Sequence, residues 1–80
     1  MRYFIYTIKD ELNGFLNITL DQNDETAERN FTYAIKNDPQ MKMFKKDYSL
    51  YCIGMYDTDA GIVETCERKL LDANSIQTEE

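Results

Sequence analysis

Two segments of this chain, residues 2–8 and 48–56, carry apolar or aromatic side chains at both alternating sets of positions. That double-sidedness limits the available folds more than any other feature. In the first segment Tyr3 and Ile5 alternate against Phe4, Tyr6 and Ile8; in the second Tyr48, Leu50, Cys52 and Tyr56 alternate against Tyr51, Ile53 and Met55. Successive side chains of a strand point to opposite faces, so each segment reads as a strand covered on both sides.

The rest of the chain supplies only one substantial element to cover them. Asn13 and Gly14 favour the positive φ of a tight turn, which makes residues 15–20 the returning strand of a hairpin. A helix is predicted over 24–37. Asn23 or Asp24 caps it, Glu25 and Glu28 sit at its positive end, and Ala27, Phe31, Ala34 and Ile35 form one buried stripe. Pro39 ends it, because the residue before a proline is driven out of helical geometry. Residues 40–47 read as a short helical turn or loop, 57–61 as a turn and 62–66 as the return strand of a second hairpin. Residues 67–80 have only Leu70, Leu71 and Ile76 to bury and read as an acidic C-terminal tail or short, loosely held helix. The predicted fold is therefore α+β, ββαββ: one domain over residues 1–66, with a four-stranded, mainly antiparallel sheet and one helix packed on one face.

One helix covers one face, and small monomers seldom leave a large apolar surface in water. The second face is expected to meet a second copy of the chain, another protein, or bases stacked on tyrosines. A dimer is the first expectation, since 80 residues build a thin core that association would enlarge. A tyrosine at a sheet surface also needs no partner, with its ring against a neighbour and its hydroxyl wet.

Fifteen acidic against nine basic side chains give a net charge of −6, which repels phosphate backbones and anionic lipid at long range. There is no His, and Cys52 and Cys66 are too far apart for a C-x-x-C motif, so neither a zinc pattern nor a redox pair is expected; the thiols read as reduced. No signal-peptide pattern and no run of about 20 apolar residues is present, so a cytoplasmic protein without a membrane span is expected. No nucleophile elbow, phosphate-cradling loop or metal-ligand spacing appears, and the expectation is a binding protein, not an enzyme, without cofactor or metal. Asp57-x-Asp59-x-Gly61 resembles the opening of a calcium loop, but the glycine comes one position early and Arg68 stands where the bidentate Glu belongs. A hairpin turn explains it.

The densest basic cluster is Lys42, Lys45 and Lys46, interleaved with Met43 and Phe44 and flanked by Asp38 and Asp47. Lysines holding phosphates while Phe44 and a nearby ring such as Tyr51 stack on bases would make a nucleic-acid site, extended by Arg29 and Lys36 on the helix. The same residues serve equally as a solvated loop with its aliphatic stems tucked under the sheet, and the helix cations as partners for Glu25 and nearby acids.

Read together, Ile5-Tyr6-Thr7-Ile8-Lys9-Asp10, Gly14-Phe15, the helical Ala27-x-Arg29-x-Phe31-x-x-Ala34 and Asp47-Tyr48-x-Leu50-Tyr51-x-Ile53-Gly54-x-Tyr56-Asp57-x-x-x-Gly61 resemble the small nonstructural protein of gokushoviruses, single-stranded-DNA phages of the microvirus family. The likeness runs from about residue 2 to residue 64, and the stretch from Asp47 is its most specific part. The resemblance implies a phage-encoded protein made in the cytoplasm of the infected bacterium, absent from the virion, and associated with DNA binding or single-stranded DNA synthesis. It carries no residue roles across. The expected function is single-stranded DNA binding or assistance to viral replication proteins; the alternative is a homodimeric adaptor that engages a host or phage protein without nucleic acid. The expected contacts are Lys42, Phe44, Lys45, Lys46, Arg29 and Tyr51.

Overall fold

The computed structural model describes residues 1–77. Strands β1 (Arg2–Asp10) and β2 (Gly14–Asp21) form the first hairpin, followed by helix α1 (Asp24–Asn37) and a short helix α2 (Pro39–Met43). A 3₁₀ turn over Lys45–Asp47 leads into β3 (Tyr48–Asp57), which pairs with β4 (Ile62–Asp72), and a last 3₁₀ turn covers Ala73–Ser75. The sheet is antiparallel throughout, in the order β2-β1-β3-β4. The two double-sided segments are thus the two central strands, which explains their composition. Both edges come from the less apolar return strands.

The ββαββ order and the limits of α1 agree with the sequence expectation. Asn23 is the cap, its side-chain oxygen accepting from the Thr26 amide at 2.8 Å. Asp38 links the helices: its amide donates to the Ala34 carbonyl, and its carboxylate accepts from the Gln40 and Met41 amides. Gly14 and Gly61 take positive φ at the ends of the two hairpin turns.

Two features depart from expectation. Strand β4 does not stop near Cys66 but continues to Asp72, and the following turn buries Ala73 and Ile76 in the core, so residues 67–72 are strand and 73–76 a packed 3₁₀ turn, not a frayed tail. The physical reason is pairing: β3 is long enough to offer Leu50 and Ser49 as partners for Leu71 and Asp72. Residues 78–80 of the expected tail lie outside the described residues. Second, register shifts in β3 between Cys52 and Gly54 re-aim the strand. Met55 then sits opposite Phe4, beside Arg2, while Tyr56 sits opposite Tyr3. Tyr56 therefore does not share the face of Leu50 and Cys52, as strict alternation predicts.

The core lies between α1 and the two central strands. Tyr6, Leu50 and Cys52 from the sheet pack against Ala27, Phe31 and Ile35 of the helix, and Ala73 and Ile76 close one end. The N-terminus of α1 is pinned to the sheet by the Tyr6 hydroxyl, which donates to Asp24 at 2.6 Å, and by Arg68, which meets the same carboxylate at 3.3 and 3.4 Å. Gly54 marks a close approach: a Cβ there would stand 2.7 Å from the Glu64 carbonyl oxygen. Cys52 is buried and Cys66 exposed, both as free thiols, with their sulfurs 3.9 Å apart across β3 and β4. Burial pushes the Cys52 thiol up, away from the reactive thiolate.

Candidate functional site

The face of the sheet opposite α1 has no covering element among the described residues. Residues directly opposite one another on antiparallel strands project to the same face, so the register identifies what this face displays. Ile5 stands opposite Leu20, Thr7 opposite Ile18, Lys9 opposite Phe15, Tyr3 opposite Tyr56, and Tyr56 in turn opposite Val63. Ile18 is 61% exposed, Val63 54%, Phe15 47% and Leu20 46%, values that mark an apolar surface left in water. Ile5 and Thr7 are nonetheless buried, sheltered by the taller side chains around them. The Thr7 hydroxyl donates to the carbonyls of Leu16 or Asn17, at 3.0 and 3.2 Å, where a bulge interrupts the pairing of β1 and β2.

At the end of this face nearest the first hairpin, Phe15 and Tyr51 meet edge to face, with ring centroids 5.4 Å apart and planes at 89°. The Lys9 ammonium lies over both rings, 5.6 Å from the Phe15 centroid and 5.7 Å from that of Tyr51. Lys69 stands opposite Tyr51 in the β3–β4 register and pairs with Asp72 at 2.7 Å. The hydrogen bond to Asp72 holds the Lys69 ammonium above its ordinary range, so it stays charged. The cluster contains two aromatic rings and two cations in a protein whose net charge is −6.

Of the residues expected from sequence, the structure places Tyr51 in this cluster and the others elsewhere. Lys42 is on α2, and Phe44, Lys45 and Lys46 follow it into the 3₁₀ turn. Lys45 is tied to the core side of the molecule, its ammonium donating to the Ile76 carbonyl at 2.8 Å. Phe44 is 46% exposed and Lys46 exposed, and Arg29 lies on the solvent side of α1, away from the buried stripe of Ala27, Phe31 and Ile35. Tyr51 therefore does not adjoin the lysine cluster, because β3 turns its ring to the open face while α2 packs on the helix side. Lys9, Phe15 and Lys69 were not singled out from sequence. The signal was present in part: Lys9 and Phe15 flank the Asn13-Gly14 turn, and hairpin pairing brings residues on either side of a turn together.

Among the described residues, no group of three or more His, Cys, Asp or Glu side chains is placed to hold a metal ion. The lowered carboxyls of Asp10 and Asp57 have local causes, the amides of Leu12 and Asp59 respectively donating to them in turns. No helix among the described residues is long and apolar enough to cross a membrane.

Comparison with curated proteins and with solved structures returns no match. The family model described as phage ORF5 protein matches residues 3–76, which takes in all four strands and both helices. The chain is therefore a phage protein and belongs to the phage ORF5 protein family.

Proposed function

We propose that this phage protein is a nonstructural accessory protein that binds single-stranded DNA, alone or within the viral replication assembly, through the open face of its sheet. The observation that supports this reading is the Lys9, Phe15 and Tyr51 cluster: two rings on neighbouring positions of an uncovered sheet, with an ammonium 5.6 and 5.7 Å above them. Bases stack on exposed rings whatever their sequence, at about 1–3 kcal/mol per base, while lysines at the rim take phosphate oxygens. Lys9 and Lys69 supply that contact where the strand crosses the sheet. Lys42, Lys45, Lys46 and Arg29 lie on the helix side and serve a strand only if it continues around the hairpin end. On this reading the protein acts in the cytoplasm of the infected bacterium, outside the virion, by binding and not by catalysis, with no cofactor.

A second reading is favoured by the β2 side of the same face. Ile18 and Leu20 are aliphatic and well exposed, and no charge accompanies them, as suits a homodimeric or adaptor surface that meets protein. Titration of a labelled oligothymidine of about 30 nucleotides, long enough to span the sheet, at low and moderate salt separates the two. Binding that weakens steeply with salt and falls in Tyr51→Ala supports the DNA reading. No binding at either salt overturns it and leaves the protein interface.

A further inference from the structure

The two edges of the sheet are chemically unequal. Strand β4 carries Glu64, Glu67, Arg68, Lys69 and Asp72 along its length. Charges of this kind guard an edge, since pairing with another strand would bury them. Strand β2 has such a guard only at its last residue, Asp21: residues 12–20 contain no charged side chain and no proline, and nearly every residue of the strand is exposed. Its outward amides and carbonyls are therefore an open template for pairing.

From this edge we infer that β2 pairs antiparallel with β2 of a second copy, about a two-fold axis at Thr19, to form one continuous sheet. The inference goes beyond the proposed DNA binding and does not depend on it. Three observations select a second copy as the occupant. The bulge at Leu16 and Asn17 leaves residues 18–21 as the regular part of the edge, and residues 18–20 within it are self-complementary about Thr19. Centring it on Thr19 sets Ile18 opposite the partner's Leu20 on the open face. On the helix side it sets Thr19 opposite its own equivalent. Each is a matched pair, apolar with apolar and hydroxyl with hydroxyl.

Charge gives the second argument. Two copies at −6 each repel, and residues 12–20, which carry no charge, are where they approach with least penalty.

The third is a groove of about 350 Å³ between α1 and β2. Because α1 is centred over β1 and β3, the helix side of β2 is left open there, beside Asn17, Thr19, Asn30 and Ala34. An added strand next to β2 lays its own Asn17 and Thr19 along this opening.

Solution mass and backbone hydrogen exchange of the full chain test the inference. The expected mass is twice the 9.5 kDa of one chain. Thr19→Lys is expected to return it to one chain with the thermal transition retained, and Val63→Lys, on the open face at the far edge, to leave the dimer intact. In the wild type, the amides of residues 18–20 are expected to gain protection as protein concentration rises. A monomer up to the solubility limit overturns the inference, as does a folded Thr19→Lys dimer. A dimer lost in Val63→Lys and kept in Thr19→Lys overturns it in favour of face-to-face packing. If Thr19→Lys fails to fold, exchange in the wild type decides: a dimer whose residues 18–20 exchange no more slowly than the monomer's is not paired at this edge. A β2-paired dimer that ignores oligothymidine overturns the DNA reading alone, and a monomer that binds it overturns the pairing alone.

Discussion

The Tyr6 hydroxyl donates to the carboxylate of Asp24 across 2.6 Å, joining the middle of a central strand to the first turn of α1. Tyr6 is fully buried, and Asp24 also receives Arg68 from β4, so a single carboxylate ties three elements together. Its negative charge sits where the helix dipole favours one. Tyr6→Phe keeps the ring and the core and removes only the donor, and is expected to lower stability by about 1–2 kcal/mol, in the range of a hydrogen bond to a charged group with partial solvent access. Urea unfolding of Tyr6→Phe, Asp24→Asn and the double variant measures this. Additive losses would mean that the two groups are not coupled.

Stability should fall at both ends of the pH scale for opposite reasons. The Tyr6 hydrogen bond, with Arg68 adding to it, holds the Asp24 carboxyl below its ordinary value. A depressed carboxyl contributes stability that is fully present above the unfolded value of about 3.9 and is lost as pH falls through the folded one. Asp72, lowered by Lys69, acts in the same direction. At the alkaline end, burial and the Asp24 contact push the Tyr6 phenol well up, and burial raises Tyr48. These two contribute stability that is present below about pH 10 and lost as pH rises through their folded values. Thermal unfolding across pH should show an acid limb that is shallower in Asp24→Asn and an alkaline limb that is shallower in Tyr6→Phe.

Gly54→Ala is expected to destabilise by about 1–3 kcal/mol, as overpacking does. Its Cβ would lie 2.7 Å from the Glu64 carbonyl oxygen, a backbone atom in a paired strand that has nowhere to move without disturbing the bulge. The Ile5 side chain would be in ordinary contact at 3.5 Å, so the clash is with the Glu64 backbone alone. A shift in the denaturant midpoint checks this; an unchanged midpoint would show that β3 and β4 separate easily here.

Tyr51→Ala should separate binding from folding. Tyr51 is half-buried on the open face and outside the helix-side core, so its truncation costs little cooperativity; loss of one stacking ring, about 1–3 kcal/mol, weakens oligothymidine binding by about 5- to 150-fold. Phe15→Ala should behave alike, and Lys9→Gln should reduce the salt dependence more than the affinity at high salt. Fluorescence anisotropy beside a thermal melt gives both quantities, and equal affinity for all three variants would remove the cluster from the binding surface.

By itself the sequence determined the elements and their order. Alternation in residues 2–8 and 48–56 identified the central strands, since only a strand buried on both faces is apolar at both sets of positions. Asn23 and Pro39 bounded α1, because capping and proline sterics act within a few residues. The family resemblance and the family match agree at one level, that this is a phage protein.

Tertiary structure decided whatever depended on register. The bulge near Gly54 sends Tyr56 to the open face and Met55 to the other, and an inserted residue that reverses alternation leaves no mark in a hydrophobic pattern. Residues 67–72 look too polar for a strand, yet they pair because β3 extends far enough to receive them. The Lys42, Lys45 and Lys46 cluster is dense in sequence and sits apart from Tyr51 in space, whereas Lys9 and Phe15 join Tyr51 only through two strand pairings. Local preferences are written in neighbouring residues, but which side chains share a face depends on contacts between segments far apart in the chain.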